Sequence, residues 1–119
     1  MECYKELVFA IPIFHLGPWK IEYNVLQLTV EVRYSKDIEK EVRRHQLPKE
    51  IWVDFRDAFE AFAASRNMRL FDIKRLATKG PYVYFRLRIR NYRAIFHMDD
   101  EFIYVEVIGP RGEIYKRWQ

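Results

Sequence analysis

The chain has 119 residues, enough for one domain with an apolar core and too few for two domains of ordinary size. Half of the residues are hydrophobic and 17% are aromatic, which excludes an intrinsically disordered chain. The formal net charge is +4, but residues 74–119 hold 10 Lys+Arg against 5 Asp+Glu, whereas residues 1–73 hold 11 against 12. A concentrated basic surface favours a polyanion or an acidic protein; a solvated basic face without a ligand is the alternative.

The cysteine and histidine content narrows the possible classes of protein further. Cys3 is the only cysteine, so an intrachain disulfide is excluded and a reducing compartment is indicated. His15, His45 and His97 lack the spacing of metal ligands, and we expect neither a metal nor a cofactor. The apolar run at residues 7–16 is shorter than the ~20 residues of a membrane span and lacks the features of a secretory signal. We therefore expect a cytoplasmic protein that does not enter a membrane.

The first regular pattern begins after a segment that is hard to interpret. We expect residues 1–25 to be an N-terminal extension without an assigned role and residues 26–119 to form the folded domain. From Leu26 to Tyr34 apolar residues alternate with polar ones, which predicts a half-buried strand.

Two helices are predicted next. Ser35 is a candidate N-cap for a short helix that ends near His45. Pro48 suits the first position of a second helix, and Asn67 is a candidate stop. The second helix carries an apolar stripe of Ile51, Phe55, Phe59 and Phe62. Such a stripe is typical of a helix that packs on a core, not of a cofactor pocket.

The remaining chain predicts strands joined by short loops. Residues 71–76 lead the chain to the sheet, and Lys79-Gly80-Pro81 predicts a turn. Three strands follow. The order strand, helix, helix and three strands predicts an α+β domain in which two N-terminal helices pack on a small antiparallel β-sheet.

The register of the first hairpin follows from its turn. We place a two-residue loop at Arg90-Asn91, with Asn91 in the left-handed conformation. Side-chain alternation then assigns pairs to the core face: Ile89 with Tyr92, Leu87 with Ala94, Phe85 with Phe96, and Val83 with Met98. The other face pairs Arg88 with Arg93, Arg86 with Ile95, and Tyr84 with His97.

A second loop at Asp99-Asp100 extends the same division of faces. It pairs Met98 with Glu101, Phe96 with Ile103, Ala94 with Val105 and Tyr92 with Val107, and sets Glu106 opposite Arg93. The predicted open face holds Tyr84, Arg86, Arg88, Arg93, His97, Tyr104 and Glu106. Because like charges directly opposite each other are unfavourable, Arg88 beside Arg93 indicates an anion between them. A solvated arginine face partly neutralised by Glu106 or by the N-terminal segment is the alternative.

Four short segments carry a resemblance to a known family. They are Phe71–Leu76 (FDIKRL), Tyr84–Arg88 (YFRLR), Asn91–Phe96 (NYRAIF) and Gly109–Arg117 (GPRGEIYKR). In this order, over roughly residues 26–117, the sequence resembles the RelE family of toxin–antitoxin ribonucleases, and most closely its archaeal-type members.

The resemblance implies an activity and partners. A RelE-like toxin enters the ribosomal A site and cuts messenger RNA without metal, by attack of the ribose 2′-hydroxyl on the adjacent phosphate. A RelB-like antitoxin holds it inactive. The related ParE toxins share the fold and poison DNA gyrase, so they are the first alternative. A basic module that binds RNA or antitoxin without catalysis is the second.

Site residues follow position by position from the same resemblance. Arg86 and Arg93 match residues that bind the phosphate and stabilise the transition state. Arg111 matches a residue that stabilises charge or assists the leaving group, and Tyr115 matches the candidate base or a stacking platform. A tyrosine with an ordinary pKa near ~10 is a weak base at neutral pH, so this role requires neighbouring cations. Further RNA contacts are expected from Lys79, Tyr84, Arg88, His97, Lys116 and Arg117.

Overall fold

The computed structural model describes residues 30–118. The N-terminal extension at residues 1–25 and residues 26–29 of the first predicted strand lie outside the described residues. The elements in chain order are β1 Glu31–Tyr34, α1 Lys36–Arg43, α2 Lys49–Ser65, β2 Ile73–Lys79, β3 Tyr82–Ile89, β4 Tyr92–Met98, β5 Phe102–Pro110 and α3 Ile114–Trp118. A single 3-10 turn, Met68–Leu70, joins α2 to β2. No helix among the described residues is long and apolar enough to cross a membrane.

The described strands form one sheet in the order β1-β5-β4-β3-β2. The α+β class and the two helices that precede the sheet are confirmed. The prediction of an antiparallel sheet is wrong at one edge, because β1 pairs with β5 in parallel. Alternation indicates which residues share a face but not the direction of the neighbouring strand.

An edge strand and a terminal helix were not predicted. Residues 73–79 form β2, which pairs with β3, where we expected only a connection. Only Ile73 and Leu76 of β2 are half-buried and the rest are exposed, so this edge strand lacks an alternating pattern. Helix α3 is only five residues long, too short for a periodic pattern to indicate it.

The helix boundaries follow local chemistry. The Ser35 hydroxyl accepts a hydrogen bond from the Ile38 amide at 3.3 Å, which confirms it as the N-cap of α1. Pro48 is the N-cap residue of α2 instead of its first helical residue. Helix α2 ends at Ser65 and its C-cap, Arg66, takes the left-handed conformation; Asn67, the predicted stop, instead caps the 3-10 turn.

The main core lies between α1, α2 and one face of the sheet. Phe59 packs edge-on against Phe96 of β4 with ring centres 5.2 Å apart, and Phe62 lies 6.0 Å from the same ring. The predicted stripe of α2 is buried, together with Ile38 of α1 and Leu87 of β3. Burying each such side chain contributes roughly 1.5–3 kcal/mol, so this layer holds the sheet rigid beneath its other face.

The first hairpin has the predicted register. Ile89 pairs with Tyr92, Leu87 with Ala94, Phe85 with Phe96, and on the other face Arg88 with Arg93 and Arg86 with Ile95. The turn differs in one respect: Arg90, not Asn91, has the positive φ, at 56°.

The second hairpin has a different register from the prediction. The Asp99 side chain accepts hydrogen bonds from the amides of Glu101 and Phe102, each at 2.8 Å. The Asp99 amide donates to the Phe102 carbonyl at 3.0 Å, so the loop is displaced by one residue. The resulting pairs are Met98 with Ile103, His97 with Tyr104, and Phe96 with Val105.

A bulge in β5 further changes which residues lie on each face of the sheet. Ile95 pairs with Val107 and Phe96 with Val105, so Glu106 is the extra residue. Beyond the bulge, Ile108 enters the main core and Val107 lies on the opposite face, whereas we expected Val107 in the core. Glu106 is consequently not opposite Arg93, which faces Gly109.

The face predicted to be open is partly covered. Ile114 of α3 packs on Tyr84 and Ile95 in a second apolar cluster that also includes Tyr115 and Trp118. Three residues expected on an open face, Tyr84, Arg93 and His97, are buried. The cover exists because β5 leads directly into α3, which folds back onto the sheet.

Candidate active site

Four arginines gather at the end of this face next to the β3–β4 turn. Arg86 and Arg88 lie on β3, and Arg93 on β4 is directly opposite Arg88. Arg111 follows β5, and its amide donates to the Asn91 carbonyl at 2.8 Å, which fixes it beside the same turn. We call Arg86, Arg88, Arg93 and Arg111 the arginine cluster.

Arg93 is the buried member of the arginine cluster, with 7% of its surface exposed. Its Nη1 donates to the carbonyl oxygens of Arg90, at 3.3 Å, and Tyr92, at 3.2 Å. Burial lowers the pKa of Arg93, and the positive charges of Arg86, Arg88 and Arg111 lower this pKa further. The guanidinium is thus held in place with incomplete charge compensation, which favours an anionic ligand.

One carboxylate reaches into the arginine cluster. Asp72 lies 3.5 Å from Nη2 of Arg86 and also forms an ion pair with Nε of Arg88. Nε of Arg86 is buried and has no hydrogen-bond partner among residues 30–118. We did not single out Asp72 as a site residue. Pairing β2 with β3 would have identified it, since Ile73 faces Leu87 and Asp72 therefore lies beside Arg88.

The chain after β5 brings a tyrosine to the same place. Tyr115 is half-buried on α3, and its electrostatic interaction with Arg93 raises the pKa of Arg93, opposite to the effect of the three other arginines. Helix α3 approaches β5 closely at Gly109, where a Cβ atom would lie 3.0 Å from Nη1 of Arg117. Four residues that the resemblance implied as catalytic, Arg86, Arg93, Arg111 and Tyr115, therefore lie around one end of the sheet.

An aromatic group occupies the other end of the same face. The His97 ring stacks on Tyr104 with centres 4.8 Å apart, and its Nε2 lies 3.0 Å from Oε2 of Glu106. The Tyr84 hydroxyl donates to the same oxygen at 3.3 Å. Burial and the Glu106 charge raise the pKa of Tyr84, so it remains a protonated donor at neutral pH. His97 is four residues from Arg93 on β4, about 13 Å along the strand.

The remaining predicted contacts have separate positions. Lys79 lies over the Trp118 ring, 4.3 Å from its centre. Arg117 forms an ion pair with Glu41 of α1 and donates to the Ile108 carbonyl at 3.2 Å, so it anchors α3 to the domain. Lys116 is exposed. The structure thus does not bring Lys79, His97 or Arg117 to the arginine cluster.

The chemistry available at the arginine cluster is anion binding and charge stabilisation. Guanidinium groups match phosphate oxygens in bidentate geometry, and a half-buried site strengthens such interactions relative to water. In residues 30–118, no group of three or more His, Cys, Asp or Glu side chains is placed to hold a metal ion.

Comparison with known proteins gives structural matches only. No protein-family model matches the sequence, and no curated protein sequence matches it. The structure of the archaeal RelE–RelB complex from Pyrococcus horikoshii OT3 matches with a TM-score of 0.58 and 25% identity, covering 71% of this chain and 97% of the other. The RelB–RelE antitoxin–toxin complex from Methanococcus jannaschii matches with a TM-score of 0.56 and 22% identity, covering 72% and 98%. The chain therefore has the fold of the archaeal RelE toxins.

Proposed function

We propose that this chain is a RelE-like toxin that cleaves messenger RNA on the ribosome. The observation that supports the proposal most is Arg93, a buried guanidinium held by two backbone carbonyls beside three further arginines and Tyr115. A phosphate of RNA supplies the negative charge that this arrangement lacks.

The proposed reaction is an internal transesterification. The ribose 2′-oxygen forms a bond to phosphorus, and the bond from phosphorus to the 5′-oxygen breaks, which leaves a 2′,3′-cyclic phosphate and a 5′-hydroxyl. Arg86 and Arg93 bind the non-bridging oxygens, whose negative charge increases in the transition state. Arg111 stabilises the negative charge on the leaving 5′-oxygen, which takes a proton from water to become the 5′-hydroxyl. Tyr115 is the candidate acceptor of the 2′-hydroxyl proton, or else a platform on which a nucleobase stacks.

Mapping of messenger RNA on translating ribosomes tests the nuclease. We expect induced expression of the wild-type chain to produce codon-phased cuts in primer extension. Arg93→Ala should reduce cutting by at least about 100-fold, because it removes a preorganised donor to the transition state. Tyr115→Phe should also reduce cutting.

Arg90→Ala is the matched control. Arg90 lies in the β3–β4 turn, but its side chain pairs with Asp54 of α2 at 3.1 Å. The Arg90→Ala variant should cut messenger RNA like the wild type. Intact RNA with gyrase–DNA adducts would instead favour a ParE-like inhibitor, and the absence of both effects would favour a binding module without catalysis.

We also propose that a RelB-like antitoxin binds this chain. Both matching structures are complexes of RelE with RelB. Two features of this chain suit an acidic, amphipathic partner: the basic excess of residues 74–119 and Leu70, which is 65% exposed just after α2. Co-purification of a small acidic protein from native cells supports the partnership, and recovery of free chain alone contradicts it.

A further inference from the structure

A groove lies at the end of β4 opposite the arginine cluster, between the sheet and the start of α1. Its volume is about 550 Å³, and its lining includes Arg33, Lys36, His97, Tyr104, Glu106 and Trp118. The reaction proposed above uses none of these six residues.

The Glu106 carboxylate is oriented from within the protein. Its Oε2 accepts a hydrogen bond from the Tyr84 hydroxyl at 3.3 Å and lies 3.0 Å from His97 Nε2. His97 is in turn held between two rings, with centres 4.3 Å from Tyr82 and 4.8 Å from Tyr104. No described residue donates to Oε1 of Glu106, and the side chain is 37% exposed. An oriented carboxylate oxygen with free acceptor capacity therefore lies at the groove.

Aromatic rings and cations surround this acceptor. Tyr104 and Trp118 present half-buried rings to the groove. Arg33 lies over the Phe102 ring at 4.0 Å, and its Nε lies 3.8 Å from Oε2 of Glu31, an ion pair without a hydrogen bond. A stacking platform, a carboxylate acceptor and nearby cations are the features that bind an unpaired nucleobase with its phosphate.

We propose that the groove binds a nucleobase of the RNA near the cut phosphate and prefers a base with an exocyclic amino group over uracil. This inference rests on the proposed function. Arg93 and His97 are about 13 Å apart along β4, so one RNA strand of several nucleotides can contact both the arginine cluster and the groove. Glu106 accepts a hydrogen bond from the amino group of adenine, cytosine or guanine, whereas uracil offers only an N3–H between two carbonyl oxygens, which a carboxylate repels.

Fluorescence anisotropy with the full-length chain tests the groove. The probes are fluorescein-labelled 2′-O-methyl RNA hexamers, which have no free 2′-hydroxyl to attack, with adenine, cytosine or uracil at each position in turn. At one position we expect adenine and cytosine to bind at least about fivefold more tightly than uracil. Glu106→Gln should abolish or reverse this preference, because the amide also donates to carbonyl oxygens. Tyr104→Ala should weaken every hexamer about tenfold.

Glu60→Gln is the matched control, since Glu60 is an exposed carboxylate on α2. It should retain the wild-type base preference. Equal binding of all bases by the wild type, or an unchanged preference in a folded Glu106→Gln variant, overturns the proposal and leaves the groove to another ligand, such as a peptide. If the Glu106→Gln variant unfolds, the Arg33→Gln variant is the second test. Weaker binding of every hexamer by this variant supports RNA binding in the groove, and wild-type binding overturns the proposal.

The proposed nuclease activity and the proposed base-binding groove can be contradicted independently. A chain that cuts messenger RNA but shows no base preference contradicts the groove alone. A chain that discriminates bases but never cuts RNA contradicts the nuclease and retains the groove as an RNA-binding site.

Discussion

At the scale of single residues, Asp72 shows how the arginine cluster is held in the absence of RNA. Its carboxylate contacts both Arg86 and Arg88, directly beside the buried Arg93. The carboxylate is 42% exposed, so a phosphate that approaches from solvent competes with it for the same guanidinium groups.

We predict that Asp72→Asn binds the 2′-O-methyl RNA hexamers about two- to tenfold more tightly than the wild type, because each exposed ion pair that RNA must break is worth up to about 1 kcal/mol. Anisotropy titration measures the change. Asp57→Asn is the control, since Asp57 pairs with Arg56 on α2. Weaker binding by Asp72→Asn would instead assign Asp72 to positioning the two arginines.

At the scale of elements, the β4–β5 turn decides what the second face presents. The Asp99 carboxylate accepts hydrogen bonds from two backbone amides. These hydrogen bonds set the register that brings Tyr104 opposite His97. The same hydrogen bonds, from Glu101 first and Phe102 second, lower the pKa of Asp99. The contribution of Asp99 to stability is therefore fully present above the unfolded value near 3.8 and is lost as pH falls through the lower folded value.

We predict that Asp99→Ala lowers the free energy of unfolding at pH 7 by about 1 kcal/mol, a modest value because the turn is exposed to solvent. Urea unfolding between pH 7 and pH 2 should show that the difference from the wild type shrinks below about pH 3.8. Asp100→Ala, at the neighbouring exposed position, should have little effect at any pH. A loss that is constant with pH would contradict the role of the charge.

Helix α3 is the second element that shapes the site. Arg117 joins it to Glu41 of α1 and to the backbone of β5, while Ile114 fills the sheet face. Arg111 and Tyr115 consequently belong to an anchored segment next to the arginine cluster. This arrangement gives a terminal segment the fixed geometry that a reaction site needs.

At the scale of the whole molecule, the two faces of the sheet differ in what lies on them. One face holds the core beneath α1 and α2, and the other carries the arginine cluster, α3 and the groove. Residues 74–119, which supply β3, β4, β5 and α3, hold 10 basic against 5 acidic residues. The RNA and the acidic partner proposed above would therefore compete for the same surface.

This competition gives a prediction for the proposed antitoxin complex. We expect the purified complex to bind the RNA hexamers at least about tenfold more weakly than the free chain, because the acidic partner neutralises the basic face. Anisotropy of both samples at the same ionic strength measures the difference. Equal binding would show that the partner covers another surface.

Much of the fold was predictable because it depends on neighbours in the chain. The alternation in residues 82–98 defines two faces, the short Arg90-Asn91 loop sets the register, and the stripe of α2 has one apolar side to bury. The resemblance to the RelE family then indicated Arg86, Arg93, Arg111 and Tyr115, which lie around one end of the sheet. Their roles remain predictions.

The sequence by itself thus determined the class of fold, the register of the first hairpin and the positive charge of its second face. The tertiary structure decided the parallel pairing of β1 with β5, the bulge at Glu106 and the covering of the face by α3. These features depend on contacts between residues far apart in sequence. The burial of Ile108 and Ile114 in different clusters, for example, is set by which surfaces remain unfilled once the sheet has formed.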